Sequence, residues 1–186
     1  MPESALTLPL YNSYWVLPGR LLAGEYPGDK SDSKAAERIT AMLAAGIDRY
    51  IDLTTAADNM RPYAELLERL SDGRARRLSF GVRDMSIPDS TRVMTVILDA
   101  IDRELDAGHA VYVHCWGGVG RTGTVIGCWL RRHYPETDGR IPQADGTLLG
   151  LDELWQTCPK SSTYPESPQT TEQRAFVAVW PLGGIA

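Results

Sequence analysis

With 186 residues the chain is long enough to build a real hydrophobic core. A content of 43% hydrophobic and 23% charged residues is ordinary for a soluble globular protein. The 19 basic against 24 acidic residues give a formal charge of −5, and with no basic block this argues against a nucleic-acid or anionic-membrane binder.

The three cysteines, Cys115, Cys128 and Cys158, are too few and odd in number for a disulfide framework. They suit a reducing compartment, so a cytoplasmic location is expected. No apolar stretch approaches the roughly 20 residues of a membrane-spanning helix. The first ten residues lack a basic region followed by a long apolar core, so no signal peptide is expected.

Residues 1–13 are expected to be a flexible lead-in and residues 14–186 a single domain. Between 12 and 26, short apolar runs broken by Pro18-Gly19 and Pro27-Gly28 predict an opening hairpin. Good helix formers over 33–45, with Ile39, Met42 and Leu43 on one face and Gly46 as the stop, predict a helix. Residues 47–53 read as a strand and 62–70 as a helix, with Pro62 near its first turn. A strand over 77–82 runs into a loop, Arg83-Asp84-Met85-Ser86-Ile87-Pro88. Val93, Val96, Ile97, Ala100, Ile101 and Leu105 recur at helical spacing over 90–107. A strand, a glycine turn and a helix over 122–134 follow. Residues 135–150 read as a surface excursion, 151–158 as a short helix, 159–171 as a loop and 172–180 as a closing helix. Strands alternate with helices, which predicts an α/β fold with a central, mostly parallel sheet and helices on both faces. Ligands in such folds sit at the C-terminal ends of strands, where the glycine turn falls.

That turn, residues 114–123, reads His-Cys-Trp-Gly-Gly-Val-Gly-Arg-Thr-Gly. Backbone N–H groups and the positive end of the following helix dipole converge there on an anion site. Free cysteine has a pKa of about 8.5, and a helix N-terminus with a nearby cation lowers it to roughly 3.5–7.5. Cys115 is therefore expected to be a thiolate and a nucleophile. Arg121 carries a planar fork that holds two phosphate oxygens at once. The glycines let the loop Trp116, Gly117, Gly118, Val119, Gly120 present N–H donors without Cβ clashes. Thr122 is placed to hydrogen-bond the sulfur, and His114 to orient the loop rather than act as a base. Trp116 can pack outward or line the cleft.

The run His-Cys-x-x-Gly-x-x-Arg-Thr resembles the phosphate-binding loop of the cysteine-based protein tyrosine phosphatase superfamily. With Gly117-Gly118 it looks most like the dual-specificity branch, in particular the cyclin-dependent-kinase-associated type. Leu17-Pro18-Gly19-Arg20-Leu21-Leu22-Ala23-Gly24 with Tyr26-Pro27, and Ser167-Pro168-Gln169-Thr170-Thr171-Glu172-Gln173-Arg174, resemble the two ends of that domain. The resemblance implies the phosphatase-type three-layer sandwich and a phosphocysteine intermediate with no metal or cofactor. It also implies a general acid on a loop some thirty residues upstream of the cysteine. Asp84 fits the family's Asp-x-x-x-Pro pattern through Pro88 and is assigned the acid; Asp89, beside Ser90, reads as a helix cap. Some relatives position the second-step water with a glutamine. Gln169 and Gln173 lie in the matching stretch, where the plainer reading is an exposed residue at a helix entry.

Other readings are weaker. A buried structural cysteine does not explain Arg121 and the glycines, and no metal-ligand spacing accompanies His114 and Cys115. A nucleotide loop lacks its Gly-Lys-Ser/Thr ending. Low-molecular-weight phosphatases and arsenate reductases carry their loop near the N-terminus, and a sulfurtransferase loop has different surroundings. The expected activity is phosphomonoester hydrolysis by a monomer. Phosphotyrosine, with phosphoserine or phosphothreonine, is the leading substrate. Inositol phosphates or phosphoinositides are the alternative, as is a binding-only pseudophosphatase. The neutral loop interior favours a single phosphate on a protein side chain.

Overall fold

The structure, a computed structural model, describes residues 7–184. Its chain opens with the expected hairpin, β1 (Ser13–Leu17) and β2 (Leu21–Gly24), paired antiparallel with Tyr14 opposite Ala23. Helix α1 (Asp32–Ala44) leads to β3 (Ile47–Asp52), a 3-10 turn (Ala56–Asp58), α2 (Ala64–Leu70) and β4 (Arg76–Ser79). Helix α3 (Thr91–Asp106), strand β5 (Ala110–His114) and helix α4 (Gly120–His133) follow. A two-stranded ribbon, β6 (Ile141–Pro142) with β7 (Leu148–Leu149), precedes α5 (Leu151–Gln156). A 3-10 turn (Pro159–Ser162) and α6 (Thr171–Val179) close the chain.

The main sheet has the order β1-β2-β5-β3-β4, parallel from β2 to β4, with β1 the antiparallel edge. Period-two alternation divides its side chains between two cores. Leu21, Ala23, Ile51, Val111 and Val113 pack under α3, α4 and α5, while Leu22, Tyr50 and Tyr112 pack under α1 and α2. Each fully buried aliphatic side chain contributes about 1.5–3 kcal/mol, so β5, buried on both faces, is pinned at the centre. The outcome is the expected α/β sandwich of helix layer, sheet and helix layer.

Several boundaries and faces differ from the sequence reading. Residues 1–6 of the expected lead-in lie outside the described residues. Later in that segment, Leu10 is buried in the second core and Ser13 already belongs to β1, so packing begins before residue 14. On α3, Val93 and Val96 face solvent and Met94 and Leu98 are buried in their place. This helix is apolar at more than one stripe, and the tertiary neighbours choose between them. Cys158 and Cys128, whose exposure the sequence does not fix, are both buried, and burial pushes both thiols up. β4 ends at Ser79, but its ladder continues irregularly, Phe80 N to Asp52 O and Val82 N to Leu53 O.

All four parallel strands run the same way. The segments after β2, β3, β4 and β5 therefore gather at one edge of the sheet, and each supplies a residue to the site there.

Candidate active site

Strand β5 delivers His114 and Cys115 to that edge, and the chain turns through residues 116–119 into α4. The helix begins at Gly120, two residues earlier than the sequence suggests, which puts Arg121 in its first turn. The turn is held from outside by its carbonyls. Trp116 O accepts from Tyr26 N at 2.9 Å, Gly117 O from Lys160 Nζ at 2.9 Å, and Val119 O from Ser167 Oγ at 2.8 Å. With these carbonyls tied outward, Gly118 N–H turns to Cys115 Sγ at 3.2 Å. Among the described residues, no acceptor takes the N–H groups of Trp116, Gly117, Val119, Gly120 or Arg121. Helix first-turn N–H groups lack intrahelical partners and favour anions.

Gly118 is fixed by two constraints. Its φ is +75°, and a Cβ there would lie 2.4 Å from the carbonyl carbon of Gly24. The loop thus rests directly on the end of β2. Thr122 is fully buried and its Oγ1 donates to Gly24 O at 3.4 Å. It buttresses the loop, and the hydrogen bond to the sulfur that the sequence assigned to Thr122 comes from Gly118 N–H.

Arg121 is nearly buried. Its Nη2 and Nη1 meet Asp58 Oδ1 and Oδ2 at 2.7 Å and 3.0 Å, and Nη1 also donates to Val82 O at 3.0 Å. Its Nε–H has no partner among the described residues. Asp58 was not found from sequence. It sits in the 3-10 turn after β3 and closes a capping box with Thr55, whose N–H reaches Asp58 Oδ2 at 2.7 Å. The Thr55-x-x-Asp58 spacing just past a strand was the available signal. Burial acts to raise the Asp58 pKa, but the donors of Arg121 and Thr55 outweigh it and hold the carboxyl below its ordinary value. The guanidinium, stabilised by Asp58 and by the fields of Cys115 and Asp84 against the cost of burial, stays charged.

Asp84 comes from the loop after β4, and its Oδ1 lies 2.9 Å from Arg121 Nη2. Half of its side chain is exposed. Asp89 lies away from this contact, 3.7 Å from Arg83 Nη2, and it is not the cap: Ser90 caps α3, accepting from Val93 N at 3.2 Å. Asp84 precedes Met85, which has the uncommon φ of +55°.

Behind the loop, His114 is completely buried among Tyr26, Tyr63 and Tyr112. Nδ1 lies 3.2 Å from Cys115 O and Nε2 2.7 Å from Tyr63 Oη. A carbonyl only accepts, so Nδ1 carries the proton and Nε2 accepts from Tyr63. Burial lowers the His114 pKa to about 4 despite Asp52 at 3.9 Å. It is a neutral group that joins Tyr63 to the loop backbone at Cys115.

The cleft above the loop has a volume of about 380 Å³. Cys115, Gly120 and Arg121 line it, with Asp84 and Gln173 also in the wall. Trp116, Met85 and Tyr164, which are 55%, 51% and 42% exposed, make an apolar rim. Lys160, also missed in the sequence, is in the wall, paired with Glu25 Oε2 at 2.7 Å. Of the two glutamines, Gln169 is exposed and Gln173 is fully buried.

The chain matches, over residues 11–153, the family described as Swiss Army Knife protein, DSP-PTPase phosphatase domain. It is 31% identical over 164 residues to the dual specificity protein phosphatase CDC14B of Mus musculus, covering 82% of this chain and 32% of that protein. The chain spans between 19% and 38% of the length of six curated relatives that it matches. Among solved structures, Tk-PTP in its active form superposes with a TM-score of 0.61 at 22% identity, covering 89% of this chain and 93% of that one. A kinase associated phosphatase with its catalytic-site cysteine changed to serine gives 0.57 at 16% identity, covering 84% and 83%. Both share the fold. The family match takes in most of the chain, which therefore belongs to the dual-specificity phosphatase branch of the cysteine-based protein tyrosine phosphatase superfamily.

Proposed function

We propose that this chain is a protein phosphatase that hydrolyses phosphotyrosine, and phosphoserine or phosphothreonine, through a cysteinyl-phosphate intermediate. One observation carries the reading: the open N–H groups of residues 116, 117 and 119–121 and the unpartnered Nε–H of Arg121 belong to the loop that encloses the Cys115 sulfur. Donors fixed in advance where charge develops are the strongest single source of rate in such sites.

In the first step the thiolate of Cys115 attacks phosphorus, an S–P bond forms and the P–O bond to the leaving group breaks. Asp84 gives its proton to the leaving oxygen. A phosphate dianion entering the loop competes for Arg121 Nη2, which releases Asp84 from its pairing with that nitrogen. The loop N–H groups and Arg121 hold the equatorial oxygens. In the second step water attacks phosphorus, its proton passes to Asp84 and the S–P bond breaks, returning the thiolate and phosphate. The Gly118 N–H stabilises the departing sulfur.

The rim of Trp116, Met85 and Tyr164 suits the phenyl ring of phosphotyrosine. Lys160, the one cation of the wall outside the loop among the described residues, is neutralised by Glu25, which favours a single phosphate over inositol polyphosphates. The chain works as one domain, its packing beginning at Leu10, as a monomer in the cytoplasm, where reduction keeps Cys115 free. Reduced protein should hydrolyse a chromogenic aryl phosphate in the presence of chelator, with vanadate inhibiting and Cys115→Ser inactive. Asp84→Ala, or the Cys115→Ser variant, should retain phosphoproteins from lysate. Turnover surviving in Cys115→Ser, or lost with chelator, overturns the reading.

A further inference from the structure

Gln173 is the third residue of α6, and its amide bridges three separate parts of the site. Thr170 and Gln173 form a reciprocal capping box. Thr170 N–H donates to Gln173 Oε1 at 3.1 Å, and Gln173 N–H donates to Thr170 Oγ1 at 3.1 Å. With Oε1 engaged, Nε2 is directed off the helix and donates to Ser86 O at 2.9 Å, across 87 residues of sequence. The amide also lies flat against Gly120, the first residue of α4. A Cβ at Gly120 would stand 2.8 Å from Oε1 and 3.0 Å from Nε2.

Ser86 closes the turn that carries Asp84: Ser86 N donates to Arg83 O at 3.2 Å, and Met85 between them holds its positive φ. Asp84 itself is half exposed, so packing around its side chain does not fix where it stands. Its ion pair with Arg121 Nη2 at 2.9 Å holds it in this structure, and once a phosphate takes that nitrogen the anchorage of the turn is what remains. A buried amide donor seated on the phosphate loop supplies that anchorage.

Resting on the phosphatase reading, we propose that Gln173 is a positioning residue that latches the Asp84 turn over the phosphate loop, so that proton transfer to the leaving group depends on the Gln173–Ser86 hydrogen bond. Gln173→Glu keeps an acceptor for the capping box and removes the donor to Ser86. Gln173→Leu removes both without adding charge. A positioned acid is worth about 10²–10⁴ in rate, and loosening it should forfeit part of that. For both variants kcat should fall about 10–100-fold on alkyl and unactivated phenyl phosphates. It should change less than about threefold on aryl phosphates whose phenolate leaves without a proton. Vanadate affinity of Gln173→Leu should stay at the wild-type value. In an Asp84→Asn background Gln173→Leu should cost no further activity, because the group it positions is gone. Equal losses on every leaving group, or full additivity with Asp84→Asn, overturn the latch.

Amide hydrogen exchange gives a readout that does not require turnover. Residues 84–88 should exchange faster in Gln173→Leu than in the wild type, while α4 is unchanged. Unchanged exchange at 84–88 overturns the latch whether or not the protein is a phosphatase. A wild type that hydrolyses no phosphomonoester overturns the phosphatase reading alone.

Discussion

Asp58 grips Arg121 end-on through Nη1 and Nη2, with both nitrogen–oxygen contacts at 3.0 Å or less and both side chains 1% exposed. The two-point contact fixes the plane of the guanidinium and leaves Nε–H without a partner among the described residues. Removing one partner of a buried ion pair strands the other charge, which costs about 3–5 kcal/mol. Asp84 still reaches Nη2, so Asp58→Ala should lower stability by part of that amount in urea denaturation. It should also reduce kcat/KM by about 10²-fold as the clamp loses its aim. Wild-type vanadate affinity in a folded Asp58→Ala protein would show that Asp58 does not place Arg121.

Gly46 and Gly118 both have positive φ, +86° and +75°, but only Gly118 has neighbours within reach of a Cβ. Gly46→Ala should cost about 1–2 kcal/mol in stability and leave turnover intact. Gly118→Ala meets the Gly24 backbone, so the loop must move off the end of β2. Turnover should fall about 10²-fold or more, with far-ultraviolet circular dichroism unchanged. Equal activity in the two variants would mean that the contact with Gly24 does not shape the loop.

The rim gives a prediction about substrate. Trp116→Ala and Tyr164→Ala should each raise KM for a phosphotyrosine peptide several-fold, since aromatic contacts are worth about 0.5–1.5 kcal/mol beyond their area. Vanadate, which has no ring, should bind as before. A matched change in vanadate affinity would place these residues in loop support instead.

The site was legible in sequence where it is contiguous. Residues 114–123 carry the Cys115 thiol, the Arg121 guanidinium and the open N–H groups in one run, and a strand and a helix on either side supply the geometry. The strand–helix alternation was likewise legible, because strands buried on both faces read as short continuous apolar runs set between helices of period about 3.6. Residues reaching the site across long separations were not legible. Asp58 is 63 positions from Arg121, and Lys160 is 135 from Glu25. Each belongs to a short turn whose local composition gives no sign of a distant partner. Gln173 was noticed as a residue type, but its burial depends on Gly120 and Ser86, which only the tertiary fold brings to it. The hydroxyl partner of Thr122 is likewise remote in sequence. Its neighbour in space, Gly24, lies 98 residues away and accepts its hydroxyl.

His114 sets the pH dependence of stability in the mildly acidic range. Its ring nitrogens are committed to Cys115 O and Tyr63 Oη as a neutral tautomer, and burial depresses its pKa from the ordinary 6.5 to about 4. The unfolded chain then binds a proton near pH 6.5 that the folded chain refuses until about pH 4, so protons favour unfolding in that window. The stability present above the unfolded value is lost as pH falls through the window. Asp52 and Asp58 are also depressed, but from an ordinary carboxyl value of 3.8, so their losses fall lower. Melting temperature should drop between pH 6.5 and 4 in the wild type. His114→Gln, less stable at neutral pH, should show a flatter dependence over the same interval and keep the steep fall below it. A wild-type slope retained in His114→Gln would assign the acid sensitivity to other groups.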